Sequence, residues 1–193
     1  MATCDVLVIG AGPGGGSAAL HAARAGLSVM IVEADPGVGV PVHCGECLSH
    51  LAVENLGLEI PEEVIALDCK GIRVIFPDGT DKLLTEPGYV LEKHLFEKWL
   101  IDEATKAGAE LFLNHRVKEM NRNFNSNNDF SNWTIDGVGN AFPIECKAVI
   151  DASGVSGAAA KILDMGTEVE VIAGFQYEMH DIDNDGNLDF YLW

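Results

Sequence analysis

Apolar, β-branched runs alternate along the chain with stretches patterned for helices. Residues 5–9 (Asp-Val-Leu-Val-Ile) are the first such run. A run without polar alternation predicts a strand buried on both faces. Gly10 to Gly16 interrupt it. From Ser17 to Ala25 the alanines, Leu20 and His21 predict a helix, closed by Gly26 as its C-cap. Ser28 to Val32 predict a second buried strand, with Glu33 at its end. Together these make a strand–turn–helix–strand unit, and parallel strands joined by a helix almost always cross over right-handed.

The remaining elements are shorter. Residues 34–47 read as an irregular Gly/Pro-rich loop, and a helix from about Ser49 to Leu56 follows, with Ser49 as its N-cap. Ile72–Phe76 and Lys82–Thr85 flank Pro77-Asp78-Gly79-Thr80, a hairpin turn signal. Leu91, Leu95, Phe96, Trp99, Leu100 and Ala104 form one helical face over 91–107, ended by Gly108. A strand is expected at Ala109–Leu113, and a loop or hairpin tip at 121–132, which holds six asparagines and two serines. Ala148 to Ile150 read as another buried strand, leading into Asp151-Ala152-Ser153-Gly154 and a helix from about Ser156 to Leu163. The tail alternates at Val169, Val171 and Ala173, then at Leu188, Phe190 and Leu192, as an antiparallel pair would.

Composition narrows the function classes. With 48% hydrophobic and 22% charged residues the chain is too apolar for disorder, yet no run approaches the ~20 residues of a membrane span. Met1-Ala2-Thr3-Cys4-Asp5 carries no basic region of the kind that opens a signal peptide. A formal charge of −18 argues against nucleic acid as a partner and against charge attraction to an anionic bilayer. That leaves a cytoplasmic protein, with room for peripheral contact with a membrane. Five scattered cysteines, Cys4, Cys44, Cys47, Cys69 and Cys146, read as reduced thiols.

Gly10-Ala11-Gly12-Pro13-Gly14-Gly15 matches Gly-x-Gly-x-x-Gly, a weak pattern alone. Here it follows a strand, opens a helix, and precedes a strand that ends in an acid, which are the context tests for a dinucleotide fingerprint. Gly10 allows the tight turn, Gly12 the approach of a pyrophosphate, and Gly15 close packing of helix on sheet. Pro13 and Gly14 belong to the same cofactor-binding turn, and the free N–H groups of the helix that follows face the phosphates. Glu33, followed by Ala34, accepts ribose hydroxyls and repels a 2′-phosphate, which argues against NADP.

Four segments resemble the geranylgeranyl reductase family of flavoproteins, which share a fold with aromatic hydroxylases. They are the fingerprint with Glu33; Pro41-Val42-His43-Cys44-Gly45-Glu46; Gly88-Tyr89-Val90-Leu91-Glu92-Lys93 with Phe96; and Asp151-Ala152-Ser153-Gly154-Val155-Ser156 with Gln176-Tyr177-Glu178-Met179. The resemblance covers nearly the whole chain. It implies an α/β fold: a Rossmann-like FAD-binding domain over 1–165, with a hairpin insertion near 70–87, and the first strands of an antiparallel substrate domain over 166–193. It also implies FAD as cofactor and reduction of isolated carbon–carbon double bonds in geranylgeranyl chains, the archaeal lipid enzyme being the closer match. An isoprenoid lipid is then the substrate, and a reduced nicotinamide or ferredoxin the electron donor.

Carried over by residue, Gly10, Gly12, Gly15 and Glu33 hold the ADP half of FAD. Lys93 stands where the family usually has arginine, and donates as a point charge rather than a planar fork. Val117 lies where a backbone group meets the adenine. Asp151, Ala152 and Gly154 pass the diphosphate and ribityl chain. Cys44, Gly45 and Glu46 lie near the isoalloxazine ring, with Cys44 or Glu46 as the acid that protonates the substrate.

Two departures stand out. Cys47 makes a Cys-x-x-Cys with Cys44 where the family more often has a small residue. It reads as a small buried hydrophobe, as half of a zinc site with His43 and His50, or as a dithiol in a flavin-linked disulfide reductase. No metal is expected. The chain also ends at Trp193, about half the family's length, which reads as an N-terminal fragment or a truncated product, leaving a non-catalytic dinucleotide-binding module as a further alternative. Asp181 to Asp189 imitates a calcium loop, but Leu192 stands where a bidentate glutamate is required, so a hairpin turn is the expectation. His21, His94, His115 and His180 sit singly and read as structural.

Overall fold

Parallel strands joined by a helix need both faces covered, and the first half-unit of this chain meets that need. In the computed structural model the chain runs β1 (Ala2–Ile9), α1 (Pro13–Arg24), β2 (Val29–Val32), β3 (Cys47–Ser49), α2 (His50–Leu56), β4 (Ile65–Cys69), β5 (Gly71–Ile75), β6 (Asp81–Leu84), β7 (Gly88–Leu91), α3 (Lys93–Lys106), β8 (Glu110–Phe112), β9 (Arg116–Phe124), β10 (Phe130–Val138), β11 (Ile144–Asp151), α4 (Ala158–Ile162) and β12 (Asn187–Tyr191). Residues 1–42, 44–166, 170, 172–177 and 183–193 are described. His43, Val169, Val171, Glu178, Met179, His180 and Asp181, all named above, lie outside them. The chain divides into two compact units, Met1–Val40 with Glu97–Ile172, and Pro41–Phe96 with Ala173–Trp193.

The first unit is a mixed α/β fold on a six-stranded sheet in the order β8-β2-β1-β11-β10-β9. β8, β2, β1 and β11 are parallel; β10 and β9 close the edge antiparallel. Every residue of β2 is buried, as its apolar run requires. On one face Leu7, Ile9, Met30 and Val32 pack with Val117, Met120, Ile135, Ile144 and Cys146. α1 contributes buried Ala19, Leu20 and Ala23, and α3 buried Leu100, Ile101 and Ala104. Each fully buried leucine or isoleucine stabilises the fold by roughly 1.5–3 kcal/mol.

Differences from the sequence reading have local causes. β11 is longer than the expected 148–150, and its Ala148 and Ile150 are exposed rather than buried. The asparagine-rich stretch is largely strand, with only 125–129 left as the turn. Asn123 donates from Nδ2 to Asn132 Oδ1 (2.8 Å) and to Thr134 Oγ1 (2.7 Å), so the amides supply cross-strand bonds. Arg122 lies over the Trp133 ring at 5.1 Å, a cation–π contact on the same ribbon.

The second unit holds two three-stranded sheets, β3-β7-β4 and β12-β5-β6. β5 and β6 form the expected hairpin, with Asp78 Oδ1 accepting both the N–H (2.9 Å) and the hydroxyl (2.6 Å) of Thr80. Ser49 caps α2 by accepting the Ala52 N–H at 3.1 Å. β12 runs parallel to β5; the pairing suggested by the tail's alternation involves Val169 and Val171, which lie outside the described residues. Arg73 on β5 holds Asp185 and Asp189 on either side of the strand entry, and the Lys70 N–H donates to the Gly186 carbonyl (2.8 Å), which sets that direction.

At the start of the first sheet Asp5 ties three segments together. Its carboxylate accepts the Ser28 N–H and hydroxyl (both 2.9 Å) and Lys147 Nζ (2.7 Å). Lys147 first, then Ser28, hold its pKa down to about 2, from an ordinary 3.8. A carboxyl with a depressed folded-state pKa stabilises above its unfolded value and loses that contribution as pH falls through the folded one. Asp5→Asn is therefore expected to lower stability against urea above pH ~4, the gap closing as pH falls towards ~2. A constant gap across a pH series of urea titrations would contradict this account.

Candidate functional site: a dinucleotide cleft

At the carboxyl ends of β1, β2 and β11, where open α/β sheets bind ligands, a cleft of about 990 Å³ opens. β1 ends in Gly10, which adopts φ +103° and donates its N–H to the Val32 carbonyl at 2.9 Å. The turn brings α1 so close that a Cβ on Gly15 would lie 1.9 Å from the Gly10 carbonyl oxygen, and one on Gly10 would lie 2.5 Å from that of Ala152. Gly12 is different: a Cβ there would meet nothing within 4 Å. It is the N-cap of α1, with Pro13 following, no side-chain cap and no acid in the first turn. The helix thus opens onto free space with its first N–H groups uncapped by side chains, the electrostatics an anionic phosphate requires.

Glu33 closes β2 beside this turn. Its Oε2 accepts the Ala11 N–H (2.7 Å) and its Oε1 the Asp35 N–H (2.9 Å). Each carboxylate oxygen keeps further lone-pair capacity, so the oriented group can still accept ribose hydroxyls. Across the cleft, Asp151 turns its carboxylate onto the chain's own backbone. Oδ1 accepts the Ser153 N–H (3.1 Å) and hydroxyl (2.6 Å), and Oδ2 the N–H groups of Ala159 (2.8 Å) and Ala160 (3.2 Å) at the start of α4. Burial pushes this carboxyl up, but those bonds outweigh it and hold the pKa below the ordinary value.

Gly10, Gly12, Pro13, Gly14, Glu33, Ala34, Val117, Asp151, Ala152 and Gly154 all line this one cleft. Gly15 stands behind them, buried against Gly10. Cys44, Gly45, Glu46 and Lys93 belong to the second unit. There Cys44 and Cys47 are exposed thiols, and Glu46 adopts φ +63°. The Glu46 carbonyl accepts the Leu91 N–H (2.9 Å), and its Oε2 accepts Gln176 Nε2 (3.3 Å), joining two of the motifs singled out in the sequence. Lys93 is the first residue of α3.

Sequence reasoning missed four lining residues of consequence. Arg116, Lys118 and Lys161 bring three of the chain's twelve cations to the cleft. Their signal was scarcity: a basic residue flanks Val117 on each side in a strongly acidic chain. The fourth, His115, is a buried histidine whose Nδ1 meets the Leu113 carbonyl (2.7 Å) and whose Nε2 accepts the Ala141 N–H (3.0 Å). Its ring lies 5.6 Å from those of both Phe112 and Phe142, and bare Gly139 leaves room for it. The structural reading holds, with the addition that this residue forms part of the cleft wall.

A family model described as FAD dependent oxidoreductase matches residues 5–169. The chain belongs to that family. Digeranylgeranylglycerophospholipid reductase 1 of Methanothermobacter thermautotrophicus is 32% identical over 97% of this chain and 49% of its own length. The reductase of that name from Methanosphaerula palustris is 35% identical over 97% of the chain and 49% of its own. A crystal structure described as geranylgeranyl bacteriochlorophyll reductase-like, from Thermoplasma acidophilum, superposes with a TM-score of 0.79 at 32% identity, covering 100% of this chain and 51% of the other. p-Nitrophenol 4-monooxygenase from Pseudomonas putida, at 19% identity and a TM-score of 0.69 over 84% of this chain and 44% of its own, shares the fold. The chain spans about half the length of the curated relatives it matches.

FAD is the cofactor of this family, and the residues present fit it: an uncapped helix N-terminus over open space, an oriented Glu33, and three cations in an acidic protein. The glycines then separate into two classes. Gly12→Ala is expected to cost less than about 1 kcal/mol of stability, as a substitution at an open N-cap, while weakening FAD binding. Gly15→Ala places a methyl on a carbonyl oxygen and should cost at least about 3 kcal/mol. Thermal unfolding paired with FAD titration separates them, and equal stability of the two variants would refute the packing argument.

Proposed function

We propose that this chain is the cofactor-binding part of an FAD-dependent reductase acting on carbon–carbon double bonds of geranylgeranyl chains in archaeal membrane-lipid biosynthesis. The observation that carries the reading is the Gly10–Gly15 turn with oriented Glu33 in a chain that aligns over 97% of its length with about half of a digeranylgeranylglycerophospholipid reductase. Gly10, Gly12, Pro13 and Gly14 would hold the pyrophosphate, Glu33 the adenosine ribose, and Val117 the adenine side. Lys93 would serve as a further cation for the cofactor. The chemistry supplied by bound, reduced FAD is a hydride.

A hydride alone leaves the other alkene carbon short of a proton, so the chain must provide an acid. Cys44 and Glu46 stand two residues apart on one loop, with the Cys44 sulfur accepting the Glu46 N–H (3.4 Å) and Gln176 orienting the Glu46 carboxylate. Either group would deliver that proton. The substrate is an isoprenoid lipid, and the electron donor a reduced nicotinamide or ferredoxin. No helix among the described residues is long and apolar enough to cross a membrane. The proposed place of action is the cytoplasm with peripheral access to the bilayer, where an isoprenoid lipid would be met.

The direct test is an absorbance spectrum of the purified chain, with released cofactor identified by chromatography. FAD near equal stoichiometry is expected, and a colourless chain that also fails to bind added FAD overturns the reading. Glu33→Ala should weaken FAD binding about tenfold, the loss of one to two hydrogen bonds. In a turnover assay with a geranylgeranyl lipid and a chemical reductant, Cys44→Ala or Glu46→Gln should slow reduction by about 10²-fold or more. Unchanged rates in both variants would remove these residues from the proton step.

A further inference from the structure

The five cysteines fall into two sets: Cys4, Cys69 and Cys146 are buried, whereas Cys44 and Cys47 are exposed. The exposed pair brackets a single peptide group. Cys44 Sγ accepts the Glu46 N–H at 3.4 Å, and the Cys47 thiol donates to the Gly45 carbonyl at 3.0 Å. That N–H and that carbonyl belong to one planar trans unit and point to opposite sides of it, so the Gly45–Glu46 peptide stands between the two sulfurs and must turn before they can meet. The segment forms no regular element until Cys47 opens β3, and Glu46 holds a left-handed φ that side-chain-bearing residues seldom adopt. Among the described residues no group of three His, Cys, Asp or Glu side chains could hold a metal ion.

We infer that Cys44 and Cys47 form a thiol–disulfide couple, oxidised by low-molecular-weight disulfides and closing across the Gly45–Glu46 peptide. The Cys47 hydrogen is engaged with a carbonyl, and burial, then the neighbouring Cys69 and Cys44, push that thiol up, so Cys44 is the attacking sulfur. Its thiolate attacks R–S–S–R; a Cys44–S–R bond forms, and R–S⁻ leaves and takes a proton from water. Cys47 then loses its proton and attacks the Cys44 sulfur, expelling the second R–S⁻, which is protonated in turn. The protein dithiol gives up two electrons and two protons, and R–S–S–R becomes two R–SH. Closure breaks both sulfur–peptide hydrogen bonds and turns the Glu46 peptide, so the state of the couple sets how this loop presents its carboxylate. The inference concerns this loop alone and stands whether or not the flavin reading does.

The test equilibrates the chain in glutathione buffers from reducing to oxidising, quenches in acid, alkylates under denaturing conditions and measures masses. In oxidising buffer the tryptic peptide 25–70 should be lighter by two hydrogens and carry a single alkylated cysteine, Cys69, with fragmentation locating the crosslink at Cys44–Cys47. Cys47→Ser should instead accumulate a glutathione adduct on Cys44, showing that the second thiol resolves the first. A stable glutathione adduct on wild-type Cys44, a Cys47–Cys69 crosslink, or three alkylatable thiols in that peptide at every buffer ratio would each overturn the inference.

Discussion

What the first unit can do with a ligand depends on how near α1 lies to the turn before it. The Gly10 carbonyl occupies the place where a Gly15 side chain would be, and the Ala152 carbonyl the place of one on Gly10. These contacts fix helix, turn and the end of β11 as one body, because each backbone fills the other's missing Cβ. The same helix is held at its next residue, where a Cβ on Gly16 would lie 2.9 Å from Leu100 Cγ on α3. A cradle for phosphate has to be rigid, since donors that must first be ordered contribute less to binding. Here that rigidity comes from close packing, and it leaves the face of Gly12 bare.

Several acidic residues of this protein work on the chain itself. Asp5 binds Ser28 and Lys147, Glu33 binds the N–H groups of Ala11 and Asp35, and Asp151 caps α4 while gripping Ser153. Glu33 and Asp151 stand at strand ends, where ladder bonds run out and backbone donors need partners, whereas Asp5, within β1, joins Ser28 and Lys147 to its strand. Glu33 is the informative case. Its two backbone bonds lock its direction without exhausting its acceptors, so one carboxylate both builds the turn and faces the cleft.

The sequence disclosed most where a single residue type is required at a single place. The fingerprint, Glu33, the Ser49 cap and the Pro77–Thr80 hairpin were legible because turns and caps demand particular side chains. The β9–β10 ribbon was less so: Asn121, Asn123 and Asn132 read as loop by composition, yet the amides of Asn123 and Asn132 bond across the strands, an interaction that exists only once the register is set. The direction of β12 depends on Arg73 meeting Asp185 and Asp189, which are far apart from it in sequence. Within the site, Arg116, Lys118, Lys161 and His115 were missed because surface cations and lone histidines carry no local pattern. Only their convergence on one cleft distinguishes them.

A chain of formal charge −18 that holds an anionic cofactor poses an electrostatic question. Net charge acts at long range, and salt screens it within about 8–10 Å at ordinary ionic strength. Hydrogen-bond donors at a helix N-terminus act at contact, in a cleft where little water competes. The arrangement uses that difference: the first turn of α1 has no acid, and Arg116, Lys118 and Lys161 line the same cleft. Two acids of the cleft, Glu33 and Asp151, are bound to backbone N–H groups, which offsets part of their field where a phosphate would lie. In the proposed binding mode Glu33 meets the ribose, where a 2′-phosphate would face a fixed carboxylate that its two backbone donors prevent from turning away.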